Sequence, residues 1–224
     1  MPWDWESFPE YLDSVERTKK AMNIVPYVPL SPLMISVMGY EEAKSGKKPS
    51  TSEQKEMCRL LEESLDAGAC GWSAQRLPPS GPGGTQLDFD GTAMPTDVMH
   101  DETALEFAKI LGKRNAGHIQ TTIVTGDPIA DQKHMEELAV VSGRPVVFNV
   151  VQATDTKPHI HRRSLAWLDS CRQRGIRVYG QGLTTDAGYA FTLADWNLFD
   201  ECPAWREATV GTCLLYTSDA ADEE

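Results

Sequence analysis

The chain has 224 residues, of which 41% are hydrophobic and 24% are charged, and its formal net charge is -12. These proportions are typical of a globular protein with a buried core and not of a disordered chain. The acidic balance argues against nucleic acid or an anionic membrane surface as a partner, because both require a basic face.

No stretch approaches the roughly 18 apolar residues of a membrane span. The start of the sequence lacks the charged and then apolar pattern of a signal peptide. The cysteines are widely scattered, at Cys58, Cys70, Cys171, Cys202 and Cys213. Because no Cys-x-x-Cys pair occurs, neither a zinc ribbon nor a disulfide framework is indicated. These features predict a reducing, cytoplasmic location.

Five segments are predicted to form helices. In one of them Met57, Leu60, Leu61 and Leu65 recur with the 3.6-residue spacing of an amphipathic helix. Glycines follow several of these segments and mark their ends. The predicted helices are Ser7–Ala21, Glu53–Ala67, Glu102–Arg114, Pro128–Val141 and Ile160–Arg174.

A short apolar segment follows each predicted helix. These segments are Asn23–Val28, Ala69–Ser73, His118–Val124, Pro145–Val151 and Ile176–Gly180. Strands that are apolar on both faces favour a parallel sheet, in either a barrel or a doubly wound fold. A doubly wound nucleotide binder carries a glycine-rich phosphate loop, which is lacking here. The sequence therefore predicts an α/β fold in which residues 1–212 form part of a (β/α)8 (TIM) barrel.

The long connection Arg76–His100 is rich in Gly, Pro, Asp and Thr. It follows a predicted strand, which places it on the catalytic face of a barrel. Loops of this length in a compact domain are usually functional or disordered. No Asp or Glu interrupts the four best-defined strands, so the carboxylates nearest that face are on loops, at Asp88, Asp90, Asp97 and Asp186.

Polar residues occur within the predicted strands or at their carboxyl ends, which converge on one site in a barrel. They are Ser73, Gln75, Gln120, Thr122, Asn149 and Gln181. A buried amide needs a hydrogen-bonding partner, which is either a neighbouring strand or a ligand. Both alternatives remain open, and we predict that these six residues line a substrate pocket.

Two further patterns have simpler explanations than catalysis. The segment 71–75 nearly matches the Gly-x-Ser-x-Gly nucleophile elbow, but it lacks the final glycine that permits the strained turn. His159 and His161 could share a metal on a strand, yet they stand at a predicted helix start, where they diverge by about 200°. His100, His118 and His134 are isolated, so packing roles are expected.

Three segments are similar to the N-acyl-D-amino-acid deacylase (D-aminoacylase-like) family of the amidohydrolase superfamily: Trp5–Leu12, Ser36–Gly39 and Leu65–Ser73. The resemblance implies the middle of a barrel that hydrolyses the amide C–N bond of a small-molecule substrate. It also implies zinc as the cofactor of the family, with a metal that activates water and an aspartate that moves protons.

The metal ligands of the family are not matched here. Its first His-x-His motif would precede Met1 and its catalytic aspartate would follow Thr212, so neither is carried over. Two further ligand strands of the family fall near His118–Thr122 and Asn149–Gln152, without a histidine at the ligand positions. We therefore expect no assembled metal site, and no activity, in this segment alone. Two hypotheses remain: an amidohydrolase-like enzyme with altered metal ligation, and a barrel that binds a small ligand without hydrolysing it.

Residues Cys213–Asp222 resemble the in-frame translation of a sequencing adapter, and we expect residues 213–224 to be no part of the natural protein. Deleting them should leave the melting temperature unchanged, because they carry no period that matches the barrel. Calorimetry of the chains 1–212 and 1–224 tests this expectation. A decrease of several degrees on deletion would show that the tail packs on the fold.

Overall fold

The computed structural model describes residues 3–80, 87–88, 90–153 and 158–183, together with residues 202, 204, 205 and 207. The prediction for the tail and the candidate Asp186 lie outside the described residues. The helices are α1 Phe8–Arg17, α2 Leu30–Met38, α3 Tyr40–Lys44, α4 Thr51–Ala67, α5 Asp101–Arg114, α6 Pro128–Ser142 and α7 Ile160–Gln173. The strands are β1 Val28–Pro29, β2 Gly71–Arg76, β3 His118–Ile123, β4 Val146–Val151 and β5 Val178–Gly182.

The five strands form one sheet in the order β1-β2-β3-β4-β5, and every neighbouring pair is parallel. Each strand therefore lies beside the next one along the chain, with one or more helices between them. This order is that of consecutive strands in a (β/α)8 barrel. The prediction of an α/β fold with part of such a barrel is confirmed.

Local signals set the ends of the helices. Ser7 and Ser50 each cap a helix and pair with a glutamate three residues later, so that α1 and α4 begin with complete capping boxes. Asp127 caps α6 just before Pro128, which suits the first helical position. The last four predicted helices correspond to α4, α5, α6 and α7, and their predicted ends lie within two residues of the observed ones.

The beginning of the chain differs from the prediction. Helix α1 ends at Arg17 rather than Ala21, and β1 comprises only Val28–Pro29. Helices α2 and α3 were not predicted. Helix α2 buries Leu30, Leu33, Met34 and Met38, which share one face of the helix, but its N-cap position is Pro29, which makes no side-chain hydrogen bond that would mark the start of a helix.

One row of side chains joins the sheet to the core. The strand register places Val28 beside Trp72, Trp72 beside Ile119, Ile119 beside Val146, and Val146 beside Val178. All five are 5% exposed or less. Burying each large apolar side chain contributes about 1.5–3 kcal/mol. The core cluster also contains helix residues such as Leu61, Phe107, Leu111 and Leu138.

A glycine is required where β2 begins beside β3. Gly71 has a φ of +145°, and a Cβ atom built there would overlap the backbone of His118. Any side chain would therefore separate the two strands at this point. Among the described residues, no helix combines the length and apolar character needed to cross a membrane.

A carboxylate joins the outer helices α6 and α7. Glu136 Oε1 accepts hydrogen bonds from Trp167 Nε1 at 2.9 Å and Arg174 Nη2 at 2.6 Å. Arg174 Nη1 also donates to Glu136 Oε2 at 2.7 Å, so the pair is bidentate. The hydrogen bonds from Arg174 lower the pKa of Glu136 to about 2. The ionised carboxylate is therefore the form that stabilises this contact.

We predict that Glu136→Gln lowers the free energy of unfolding by about 2 kcal/mol, because a charge-assisted contact between helices is lost. The folded pKa is below the unfolded one, so this contribution is present above about pH 4.5 and is lost toward pH 2. Urea unfolding at several pH values measures the effect. Glu137→Gln, at the exposed neighbouring position, is the control and should change little. An equal effect of the two substitutions would contradict the prediction.

Candidate functional site

The six polar candidates lie on the sheet face opposite the buried row, because successive side chains of a strand alternate between faces. Ser73 pairs in register with Gln120, and Gln75 pairs with Thr122. Asn149 pairs with Gln181 on the next two strands. We call these six residues, Ser73, Gln75, Gln120, Thr122, Asn149 and Gln181, the polar face. The sequence placed these residues within the predicted strands or at their carboxyl ends, and the structure extends β2 and β5 to include Gln75 and Gln181.

Two hydrogen bonds connect strands across the polar face. Ser73 Oγ donates to Gln120 Oε1 at 2.5 Å. Asn149 Nδ2 donates to Thr122 Oγ1 at 3.1 Å. Each bond uses one polar atom of an amide group and leaves the other available. The two alternatives posed by the sequence are therefore compatible: strand pairing orients these amides, and a ligand can still contact them.

Asp97 connects the long connection to the end of β2. It lies in a short 3-10 helix, Pro95–Val98, and is 5% exposed. Its Oδ1 accepts from the backbone of Leu77 at 2.7 Å, and its Oδ2 accepts from the backbone of Met94 at 3.2 Å. Gln75 Nε2 also donates to Asp97 Oδ1 at 3.5 Å. Burial raises the pKa of Asp97, and the carboxyl group fixes both the connection and the Gln75 amide.

The other two described carboxylates of the long connection pair with α3. Lys44 Nζ lies 2.7 Å from Asp88 Oδ2 and 2.9 Å from Asp90 Oδ1. Tyr40 donates its hydroxyl hydrogen to Asp90 Oδ2 at 2.6 Å. The hydrogen bonds from Tyr40 and Lys44 hold the pKa of Asp90 well below its usual range. These acids therefore fasten the connection to α3.

The three isolated histidines lie in packing positions. His118 begins β3, at the amino end of the strand, where its Nε2 is 2.6 Å from the hydroxyl oxygen of Tyr27. His100 Nε2 lies 2.9 Å from the carbonyl oxygen of Gly46. His134 is buried within α6, and burial lowers the pKa of both His118 and His134. None of the three belongs to the polar face.

The residues of the polar face do not fit a zinc site. Neutral amides and hydroxyls bind zinc weakly beside imidazole or thiolate. His159 precedes α7 and His161 lies in its first turn, so the pair occupies a helix start as predicted. Within the described ranges, no group of three or more His, Cys, Asp or Glu side chains is placed to hold a metal ion.

The comparison with curated proteins supports the family resemblance. The chain is 24% identical to an N-acyl-D-aspartate deacylase from Alcaligenes xylosoxydans xylosoxydans, over an alignment 238 residues long. The alignment covers 96% of this chain and 46% of that protein, so the chain spans about half the length of its relative. No protein-family model matches the chain.

Solved structures of D-aminoacylase have the same fold. A mutant D-aminoacylase in complex with CuCl2 matches with a TM-score of 0.63 and 18% identity, over 81% of this chain and 35% of that one. A D-aminoacylase described as defining a novel subset of amidohydrolases matches with a TM-score of 0.61 over the same shares, also at 18% identity. The resemblance inferred from the sequence segments is confirmed: the chain is a divergent relative that matches a part of such proteins.

We predict that the purified chain, dialysed against zinc and then against metal-free buffer, retains much less than one zinc ion per chain. The physical reason is the neutral donor set of the polar face, since zinc sites combine three or four His, Cys or carboxylate ligands. Elemental analysis measures the retained zinc. His159→Ala and His161→Ala serve as comparison variants. One tightly held zinc that disappears in either variant would show that this histidine pair is a ligand set.

Proposed function

We propose that this chain is the middle part of an amidohydrolase-type enzyme that cleaves the amide C–N bond of N-acyl-D-amino-acid-like small molecules. The observation that carries the proposal is the polar face, which lies on adjacent parallel strands of a D-aminoacylase-like fold. In barrels of this class the carboxyl ends of the strands form the active site. The name of the curated relative, a deacylase, supports the same reaction type.

In this proposal the polar face binds and orients the substrate. Gln75, Gln120 and Asn149 offer amide groups, while Ser73 and Thr122 fix two of these amides through the hydrogen bonds described above. Orientation of this kind lowers the entropic part of the reaction barrier. The groups that activate water are expected outside the described residues. The free thiols of Cys58, Cys70 and Cys171 fit the reducing, cytoplasmic location that we also propose.

A second candidate is a barrel that binds a small ligand without hydrolysing it. It is favoured by two observations: the polar face carries no ionised group able to act as a general base, and the described part of the chain contains no cluster of metal ligands. The two candidates differ in what flanks this segment. A His-x-His motif upstream and an aspartate downstream are required by the enzyme and not by the binding barrel.

The test is to recover the flanking coding sequence and to assay the longer protein with N-acetyl-D-methionine. We expect both flanking motifs, together with release of D-methionine that exceeds release from the L-enantiomer. Asn149→Leu should lower kcat/KM about tenfold or more, because a polar contact with the substrate is lost. Gln173→Leu, on the exposed side of α7, is the matched control and should leave kcat/KM unchanged. Absence of both motifs and of hydrolysis, with retained ligand binding, would favour the binding barrel.

A further inference from the structure

We infer that a pocket bordered by α1, α2 and α4 binds a small organic cation, namely a substituted ammonium group attached to an aliphatic chain. The pocket has a volume of about 360 Å³, which lies within the size range of small-molecule sites. None of the six residues of the polar face lines it, so the inference is independent of the proposed function. Three features of the lining carry it: the aromatic rings, the sign of the charges, and the shortage of hydrogen-bond donors.

Aromatic rings form much of the wall of this pocket. The large side chains that line it are Trp5, Phe8, Tyr11, Tyr27, Leu33 and Leu60. The rings of Trp5 and Tyr11 meet edge to face with their centroids 5.1 Å apart, and the ring of Phe8 lies 5.6 Å from that of Tyr11. The face of an aromatic ring carries partial negative charge, so these rings attract a cation and also contact its aliphatic groups.

The charged side chains of the lining are acidic. Among the described residues that line the pocket, the charged ones are Glu6 and Glu63, and no lysine or arginine is included. Glu63 Oε2 accepts a hydrogen bond from Arg59 Nη1 at 2.6 Å, so part of its charge is offset from outside the pocket. Glu6 is exposed, and no described residue forms an ion pair with its carboxylate. The pocket therefore presents negative charge to a ligand, which favours a cation and opposes an anion.

The amino end of α1, which borders the pocket, is already occupied by an acidic side chain. A helix start attracts anions because its free N–H groups carry partial positive charge. Here Glu10 Oε2 accepts hydrogen bonds from the backbone N–H groups of Glu6 and Ser7, both at 2.9 Å, and from Ser7 Oγ at 3.0 Å. These contacts satisfy the local donors and offset the positive end of the helix, so it does not favour an anionic ligand.

The polar hydrogens of the lining are largely unavailable to a ligand. Ser36 Oγ donates to the carbonyl oxygen of Leu33 at 2.8 Å, and Ser64 Oγ donates to that of Leu60 at 2.7 Å. Trp5 Nε1 is buried, so a ligand meets the ring of Trp5 rather than its N–H group. A carbonyl or carboxylate ligand would find few donors here. A quaternary ammonium group accepts no hydrogen bonds and requires only the rings and the negative charge.

The experiment titrates the full chain with hydroxybutyltrimethylammonium and with the uncharged alcohol in which carbon replaces its nitrogen, observed by ligand NMR at pH 7. The two compounds have the same shape, and only the first is charged. We expect the cation to bind about fivefold more tightly or better, because the rings and carboxylates attract it. Equal or weaker binding of the cation by the unaltered chain, or no binding of the cation, would overturn the inference.

Substitutions separate the effect of charge from that of the rings. Glu6→Lys should weaken cation binding about fivefold and leave the alcohol nearly unchanged, because the attraction becomes repulsion. Glu137→Lys makes the same change at an exposed position of α6, away from the lining, and should alter neither affinity. Tyr11→Leu should remove most of the preference for the cation, whereas Tyr11→Phe keeps the ring and should keep the preference.

The ratio of the two affinities is the readout that a folding defect would not reproduce. A misfolded variant loses both ligands together, whereas the inferred contacts act on the cation alone. Glu6 is exposed, so its substitution should leave the fold intact, and this variant decides the outcome. An unchanged ratio in Glu6→Lys, or an equal change in Glu137→Lys, would show that the cation does not bind in this pocket.

Discussion

The alternation of side chains along parallel strands is the constraint on which the rest of this structure depends. The row from Val28 to Val178 is buried in the core and determines which face of every strand packs against the helices. The residues between them must then point the other way. A slip of one residue in any strand would exchange the two faces and bury amides in the hydrophobic core. Packing of the core therefore also sets the direction of the side chains on the polar face.

The long connection after β2 is held by carboxylates in two places. Asp97 accepts backbone hydrogen bonds from both sides of the connection and reaches Gln75, while Asp88 and Asp90 pair with Lys44 on α3. The described acids that the sequence places nearest the catalytic face are therefore engaged in contacts that hold the connection in place. The consequence for function is indirect, since the Asp97 carboxyl group determines which atom of the Gln75 amide remains available.

The relation to D-aminoacylases and the departure from them concern different parts of the molecule. The fold agrees over 81% of the chain with a solved D-aminoacylase, and the consecutive parallel strands are those expected in part of a (β/α)8 barrel. Where the family resemblance implies imidazole ligands, the described strands carry amides, hydroxyls and Val150. Neutral groups at these positions are compatible with the fold, because these side chains do not belong to its core. They determine the chemistry that the face can offer.

The sequence by itself determined the elements whose signals are local. Helices α4 to α7 and the strands that follow α4 to α7 could be predicted because caps such as Ser50 with Glu53, terminal glycines and apolar periods act over a few residues. Helix α2 was not predicted because it lacks a local start signal, since its N-cap position is Pro29 and makes no side-chain hydrogen bond. Only the tertiary structure decided that Ser73 donates a hydrogen bond to the side-chain carbonyl oxygen of Gln120. The same holds for the hydrogen bond that Asp97 accepts from the backbone amide of Leu77, 20 residues earlier. Such contacts depend on strand register and chain reversal, which arise from the summed packing of distant residues and leave no local pattern.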